Sequence, residues 1–174
     1  MTKSKLLPSI VLGSICLVIA ALLAAVNMLT SEQIELNNAR KAEAALVEVL
    51  PGHSGFTDVT ISDNLPDSID LIKKSAGGGY VFRAVVTGKS SGLTVMIGID
   101  AEGKITGTKC IANKETASYA ARVFEKTESG YFVGMTESSY LPCIISGATL
   151  TSEAYSSAVE NALLAFSAIT GGNE

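Results

Sequence analysis

The chain has 174 residues, is 47% hydrophobic and 17% charged, and carries a formal net charge of −4, with a mean hydropathy of +0.35. That length suits one domain plus an accessory segment. A single histidine, no tryptophan and no CxxC pair exclude a histidine-rich metal site, a zinc ribbon and iron–sulfur spacing. The lone His53, beside Pro51-Gly52, supports no Ser-His-acid triad.

Residues 6–29, from Leu6 to Leu29, contain no charged residue. At ~1.5 Å per residue they reach about 36 Å, enough to cross a hydrocarbon core of ~30 Å with some tilt. The run is longer than a signal-peptide core, and Val26-Asn27-Met28-Leu29 offers no small-x-small cleavage site. It therefore reads as an uncleaved anchor. Lys3 and Lys5 precede it, while Glu32 and Glu35 follow before any base. The positive-inside rule predicts a cytoplasmic N-terminus and an extracytoplasmic remainder on the cell membrane. From Glu32 onward there are 11 basic and 17 acidic residues, a net of −6. That balance argues against nucleic acid and against docking on anionic lipid.

Ser31 to Leu50 reads as a connecting amphipathic helix, with Ile34, Leu36, Ala42, Ala45, Leu46 and Val49 at helical spacing. Pro51-Gly52 stops it. Gly52 to Gly79 is punctuated by turn residues, with a short strand expected within Phe56–Ile61, a turn at Asp63–Asp67 and a flexible or hairpin turn at Gly77-Gly78-Gly79. Strands are predicted over Tyr80–Val86, Leu93–Ile99 and Lys104–Ile111, with a turn at Asp100–Gly103, as an antiparallel meander. A helix is expected over Glu115–Glu125, short strands over Tyr131–Val133 and Leu141–Ile145, and a closing helix over Ser152–Ile169 that Gly171-Gly172 ends. The fold class is α+β: one N-terminal transmembrane helix, then an exported domain whose antiparallel sheet is covered by helices. The expected organisation is an anchor over 1–30, a connecting helix over 31–52 and the domain over 53–174. Cys16 lies in the span. Cys110 and Cys143 read as buried free thiols, a disulfide being the alternative in an oxidising compartment.

The segment Ser146-Gly147-Ala148-Thr149-Leu150-Thr151-Ser152 joins the last expected strand to the closing helix. First-turn N–H groups of a helix lack internal partners, and the dipole adds about half a positive charge there. Gly147 lets the backbone approach an anion closely and Ala148 adds no bulk. Two readings are open: Thr149 carries a phosphate-linked group, or Thr149 or Thr151 simply caps the helix.

Ser146-Gly147-Ala148-Thr149 resembles the flavinylation motif of the FMN-binding domain family. Gly79-Tyr80-Val81-Phe82, Val95-Met96-Ile97-Gly98-Ile99-Asp100 with Gly103-Lys104-Ile105, and Lys114-Glu115-Thr116 resemble that domain in the same order, over roughly residues 78 to 168. With its single anchor and its length, the chain resembles the RnfG family, the G-type components of Rnf ion-translocating electron transport complexes. The related C-type components of sodium-translocating NADH:quinone oxidoreductase are usually longer. The resemblance implies FMN joined by a phosphoester to Thr149, installed by a flavin transferase from FAD. It also implies a role as a non-autonomous electron-transfer subunit of a ferredoxin:NAD oxidoreductase that moves Na+ or H+, with other membrane subunits as partners. Ser146, Gly147, Ala148, Leu150 and Thr151 would shape the phosphate site, and Lys114, Glu115, Thr116 and Tyr119 the ring region. Tyr119 could stack on the ring or be half-buried wall; Lys114 could sit near the ring or on the solvated surface. The chain departs from the family pattern at Cys143, where an aspartate is usual, and at Ala117-Ser118-Tyr119-Ala120, where Pro-Gly-Leu-Gly is common. The competing readings are a membrane-tethered flavinylated reductase outside any complex and, in a different class, a pilin-like structural subunit.

Overall fold

In the computed structural model, residues 3–61 and 64–171 are described. Asp63 and Gly172, expected in a turn and at a helix stop, lie outside them. The chain divides into two compact units, residues 1–40 and residues 41–174.

One helix, α1 (Lys3–Val49), covers both of the N-terminal helices expected from the sequence. No glycine or proline occurs between Gly13 and Pro51, so nothing interrupts it. Among the described residues it is the one helix long and apolar enough to cross a membrane. Its side chains from Ser9 to Ser31 are all exposed.

In the second unit, five strands follow: β1 (Thr57–Asp58), β2 (Ile69–Lys74), β3 (Tyr80–Thr87), β4 (Ser91–Ile99) and β5 (Ile105–Ala112). They form one antiparallel meander in sequence order. β2 is an addition to the elements expected from the sequence. Its residues, Ile-Asp-Leu-Ile-Lys-Lys, follow a proline-containing turn and carry three charges, two of which are paired: Asp70 with Arg83 at 2.7 Å and Lys73 with Asp58 at 2.6 Å. Sheet pairing thus overrides a polar composition. α2 (Ala117–Lys126) and α3 (Thr149–Thr170) complete the unit.

Two expected strands are not strands. Tyr131–Val133 lies in a wide helical turn and its exit, flanked by Gly130 at φ 103° and Gly134 at φ 83°, a backbone that breaks an extended run on either side. Gly134 and Met135 exchange backbone hydrogen bonds with Ile105 of the sheet. Leu141–Ile145 runs beside α3, and serine hydroxyls of that helix take the place of a neighbouring strand. Ser156 Oγ accepts from the Cys143 N–H (2.9 Å) and Ser152 Oγ accepts from the Ile145 N–H (3.1 Å).

The sheet is buried on both faces. Phe82, Ala84, Val95, Ile97, Ile99 and Ile105 meet Tyr155, Val159, Ala162, Leu163 and Phe166 of α3. On the opposite face Val81, Met96 and Ile111 meet Ala45, Val49 and Leu50, the end of α1 and the residue after it. The alternation of Val81 and Phe82, and of Met96 and Ile97, is the period of two that a strand imposes.

Two glycines admit the end of α1 to the sheet. A Cβ at Gly98 would overlap the Val49 carbonyl, and one at Gly107 would come within 3.0 Å of the Val49 Cα. The Thr106 hydroxyl donates to that same carbonyl. Gly98→Ala is therefore expected to destabilise the full-length protein by about 1–3 kcal/mol through overpacking, with Gly107→Ala costing less. Thermal unfolding in detergent checks this; an unchanged midpoint for Gly98→Ala would show that the seat yields freely.

Candidate functional site

α3 begins at Thr149, three residues earlier than the sequence suggests, with Ala148 as the cap residue and no side-chain cap bond. Before it, Gly147 at φ 81° completes a turn in which the Ala148 N–H donates to the Ile145 carbonyl (3.0 Å). A positive φ here is a glycine requirement. The capping reading of Thr149 and Thr151 is not realised.

The hydroxyls of the motif divide into two groups. Thr151 is 3% exposed and donates to Glu115 Oε2 at 2.6 Å. Ser152 is fully buried; it donates to the Thr149 carbonyl (3.0 Å) and accepts from the Ile145 N–H. Ser146 and Thr149 are exposed, and among the described residues neither hydroxyl has a hydrogen-bond partner. Of these two, Thr149 occupies the first position of the 22-residue helix.

A cavity of about 380 Å³ opens beside it, lined by Lys89, Glu115, Thr116, Tyr119 and Gly147 through Thr151. The β3–β4 hairpin supplies Lys89, the β5–α2 connection supplies Glu115 and Thr116, and α2 supplies Tyr119. Tyr119 and Leu150 are exposed at 44% and 59%. The structure thus gathers the Glu115-Thr116-Tyr119 group and the Gly147–Thr151 group, far apart in sequence, around one space. Ser146 lines a neighbouring cavity of about 690 Å³ instead, with Arg122, Lys126, Tyr131 and Cys143 among its walls. Lys114 is exposed and lines neither cavity. Lys89 escapes a reading of the sequence because its hairpin carries no feature beyond turn residues; its ammonium lies 5.8 Å from the centroid of the Tyr119 ring.

Glu115 holds this arrangement together. It is 9% exposed. Its Oε1 accepts from the Ser90 N–H at 2.8 Å while its Oε2 accepts from Thr151. Three separate segments are tied at one carboxylate. Gly88 leaves the room: a Cβ there would lie 2.9 Å from Glu115 Oε1 and 3.3 Å from the Thr151 Cα. Cys110 and Cys143 are free, not joined to each other. Burial pushes the Cys110 thiol up to about 11 and raises that of Cys143 as well. Both stay protonated near neutrality, which argues against nucleophilic thiol chemistry here.

Thr151→Val keeps the shape and removes the donor, leaving a buried carboxylate oxygen short of one partner. It is expected to cost about 1–3 kcal/mol, and Thr151→Ser to cost much less. Chemical denaturation of the three proteins measures the difference.

Two family models and a known protein match the sequence that builds this site. The model of the FMN-binding domain matches residues 88–164, which hold the whole of the cavity wall. The model of the RnfG N-terminal region matches residues 1–49, a stretch that includes α1. The G-type component of the ion-translocating oxidoreductase complex of Methanosarcina acetivorans is 28% identical over 180 residues, covering 94% of this chain and 96% of that protein. The chain is similar to RnfG proteins along its length and matches the FMN-binding domain over residues 88–164, which supports an RnfG-like protein.

Proposed function

We propose that this chain is the electron-transfer subunit of an Rnf-type ion-translocating oxidoreductase complex and carries FMN as a phosphoester on Thr149. The observation that carries the reading is the state of the motif's hydroxyls. Thr151 and Ser152 are buried and committed to bonds within the fold, whereas Thr149 offers a free, exposed hydroxyl at a helix start. A phosphate esterified there would meet the unpaired first-turn N–H groups and the positive end of the helix dipole.

The residues present fit the group. The cavity beside Thr149 is of ligand size, and Tyr119 gives it an aromatic wall. Gly147 and Ala148 leave the approach to Thr149 uncrowded, and Glu115 keeps the first turn of α3 in register with the β3–β4 hairpin. FMN supplies one- and two-electron chemistry, which no side chain here provides. The protein's part is to bind, orient and screen the ring. A covalent tether keeps the cofactor in a domain that no cytoplasmic pool of FMN can resupply.

The relative's name supplies the assembly: a complex that translocates ions and is an oxidoreductase. In this chain a single uncharged span, 6–29, anchors the protein and provides no ion path. Ion movement and nicotinamide chemistry then belong to partner subunits, with reduced ferredoxin and NAD as the redox couple and Na+ or H+ as the coupling ion. Lys3 and Lys5 ahead of the span, with acids following it, support an N-terminus in the cytoplasm and the FMN-binding domain, 53–174, outside. A flavin transferase on that side would complete the protein, and copurification with polytopic membrane subunits separates the complex from a free-standing tethered reductase.

Mass spectrometry tests the linkage. The peptide containing Thr149, from protein made alongside an active flavin transferase, should carry the mass of FMN less one water. Thr149→Ala should abolish in-gel flavin fluorescence while changing stability by no more than about 0.5 kcal/mol, as exposed substitutions do. A wild-type peptide of unmodified mass would overturn the reading.

A further inference from the structure

The cavity beside Thr149 carries an uneven set of charges. Three of its lining residues are titratable: Lys89 from the β3–β4 hairpin, Glu115 from the β5–α2 connection and Tyr119 from α2. The first turn of α3 contributes none. Glu115 is fixed, with Ser90 and Thr151 each donating to one of its oxygens. Lys89 is exposed, lies over the Tyr119 ring and, among the described residues, has no carboxylate within ion-pair distance. It is the one cation in the wall of this cavity among the described residues.

The charge of a reduced flavin ring depends on how many protons accompany the electrons. Two electrons with two protons leave it neutral; two electrons with one proton leave it with one negative charge. A fixed carboxylate opposes the charged product, and a neighbouring ammonium favours it. A ring tethered at Thr149 has Tyr119 as an aromatic wall, and Lys89, its ammonium 5.8 Å from the centroid of the Tyr119 ring, lines the same cavity. The phosphate has its own positive partner in the start of α3. We propose that Lys89 compensates the negative charge of the reduced flavin in this cavity, raising its midpoint potential and setting the pH below which the second proton is taken up. This rests on the reading that Thr149 carries FMN. Removing the cation destabilises the charged product, so the second proton is then held to higher pH.

The test uses the full-length flavinylated protein in detergent, titrated with dithionite against redox dyes over a series of pH values. Lys89→Met should lower the midpoint potential above the pH break, where the reduced ring is anionic, and move that break upward by about 0.5–1 unit, a modest shift because the ammonium faces water. Lys89→Arg should follow the wild type, and flavin fluorescence per protein should be equal in all three. A flavinylated Lys89→Met protein with wild-type potential and pH break overturns the proposal. So does one that loses flavin loading while its remaining flavin titrates as in the wild type, since Lys89 would then act on attachment. Wild-type protein with no flavin mass on Thr149 overturns the parent reading, and this one with it.

Discussion

The bond from Thr151 to Glu115 decides where Thr149 stands. It is short, 2.6 Å, and it is made inside the protein, where a lost partner is not replaced by water. The other oxygen of the same carboxylate holds the backbone at Ser90. One side chain therefore sets the distance between a hairpin, the entry to α2 and the start of α3. Thr149 lies two residues before Thr151, on the outward side of the same turn, and needs no bond of its own to be placed. Among the described residues the hydroxyl of Thr149 is left unbonded, and its neighbours carry the constraint instead.

The division of labour along Ser146–Ser152 extends into α3. Serine is a modest helix former, yet Ser152 and Ser156 are buried in the middle of the interface. Their hydroxyls serve the backbone of 143–145, which has no strand beside it. This chain segment and α3 are joined by side-chain-to-backbone bonds where two strands would use a ladder. Cys143, at the position where the family usually has aspartate, sits within that seam: its N–H donates to Ser156 Oγ and its carbonyl accepts from it. What the seam requires of residue 143 is its backbone.

Much of this is legible in the residues. β3, β4 and β5 announce themselves by runs of branched and aromatic side chains, and the turns between them by glycine and aspartate. The apolar repeat of α3 is clear from Ala154 to Phe166, because helical spacing needs only buried positions to show. The start of that helix is not legible, since Thr149 and Leu150 are exposed and carry no periodic signal. β2 is hidden by charges whose partners lie on neighbouring strands. Tyr131–Val133 and Leu141–Ile145 have strand-like composition, but glycine geometry in one case and serine hydroxyls in the other decide against pairing. At the site, the motif around Thr149 and the Glu115-Thr116 pair can be found by resemblance. Lys89 cannot, because only the folding of the hairpin over Tyr119 brings it there, while Lys114, the sequence neighbour of Glu115, stays out of the cavity wall.

The seat of Val49 on Gly98 and Gly107 bears on where the chain can be cut. Val81, Met96 and Ile111 have the residues around Val49 as their cover. A water-soluble fragment begun at residue 53 would present that apolar face to solvent and invite self-association. One begun at Lys41 keeps its lid and remains a closed body.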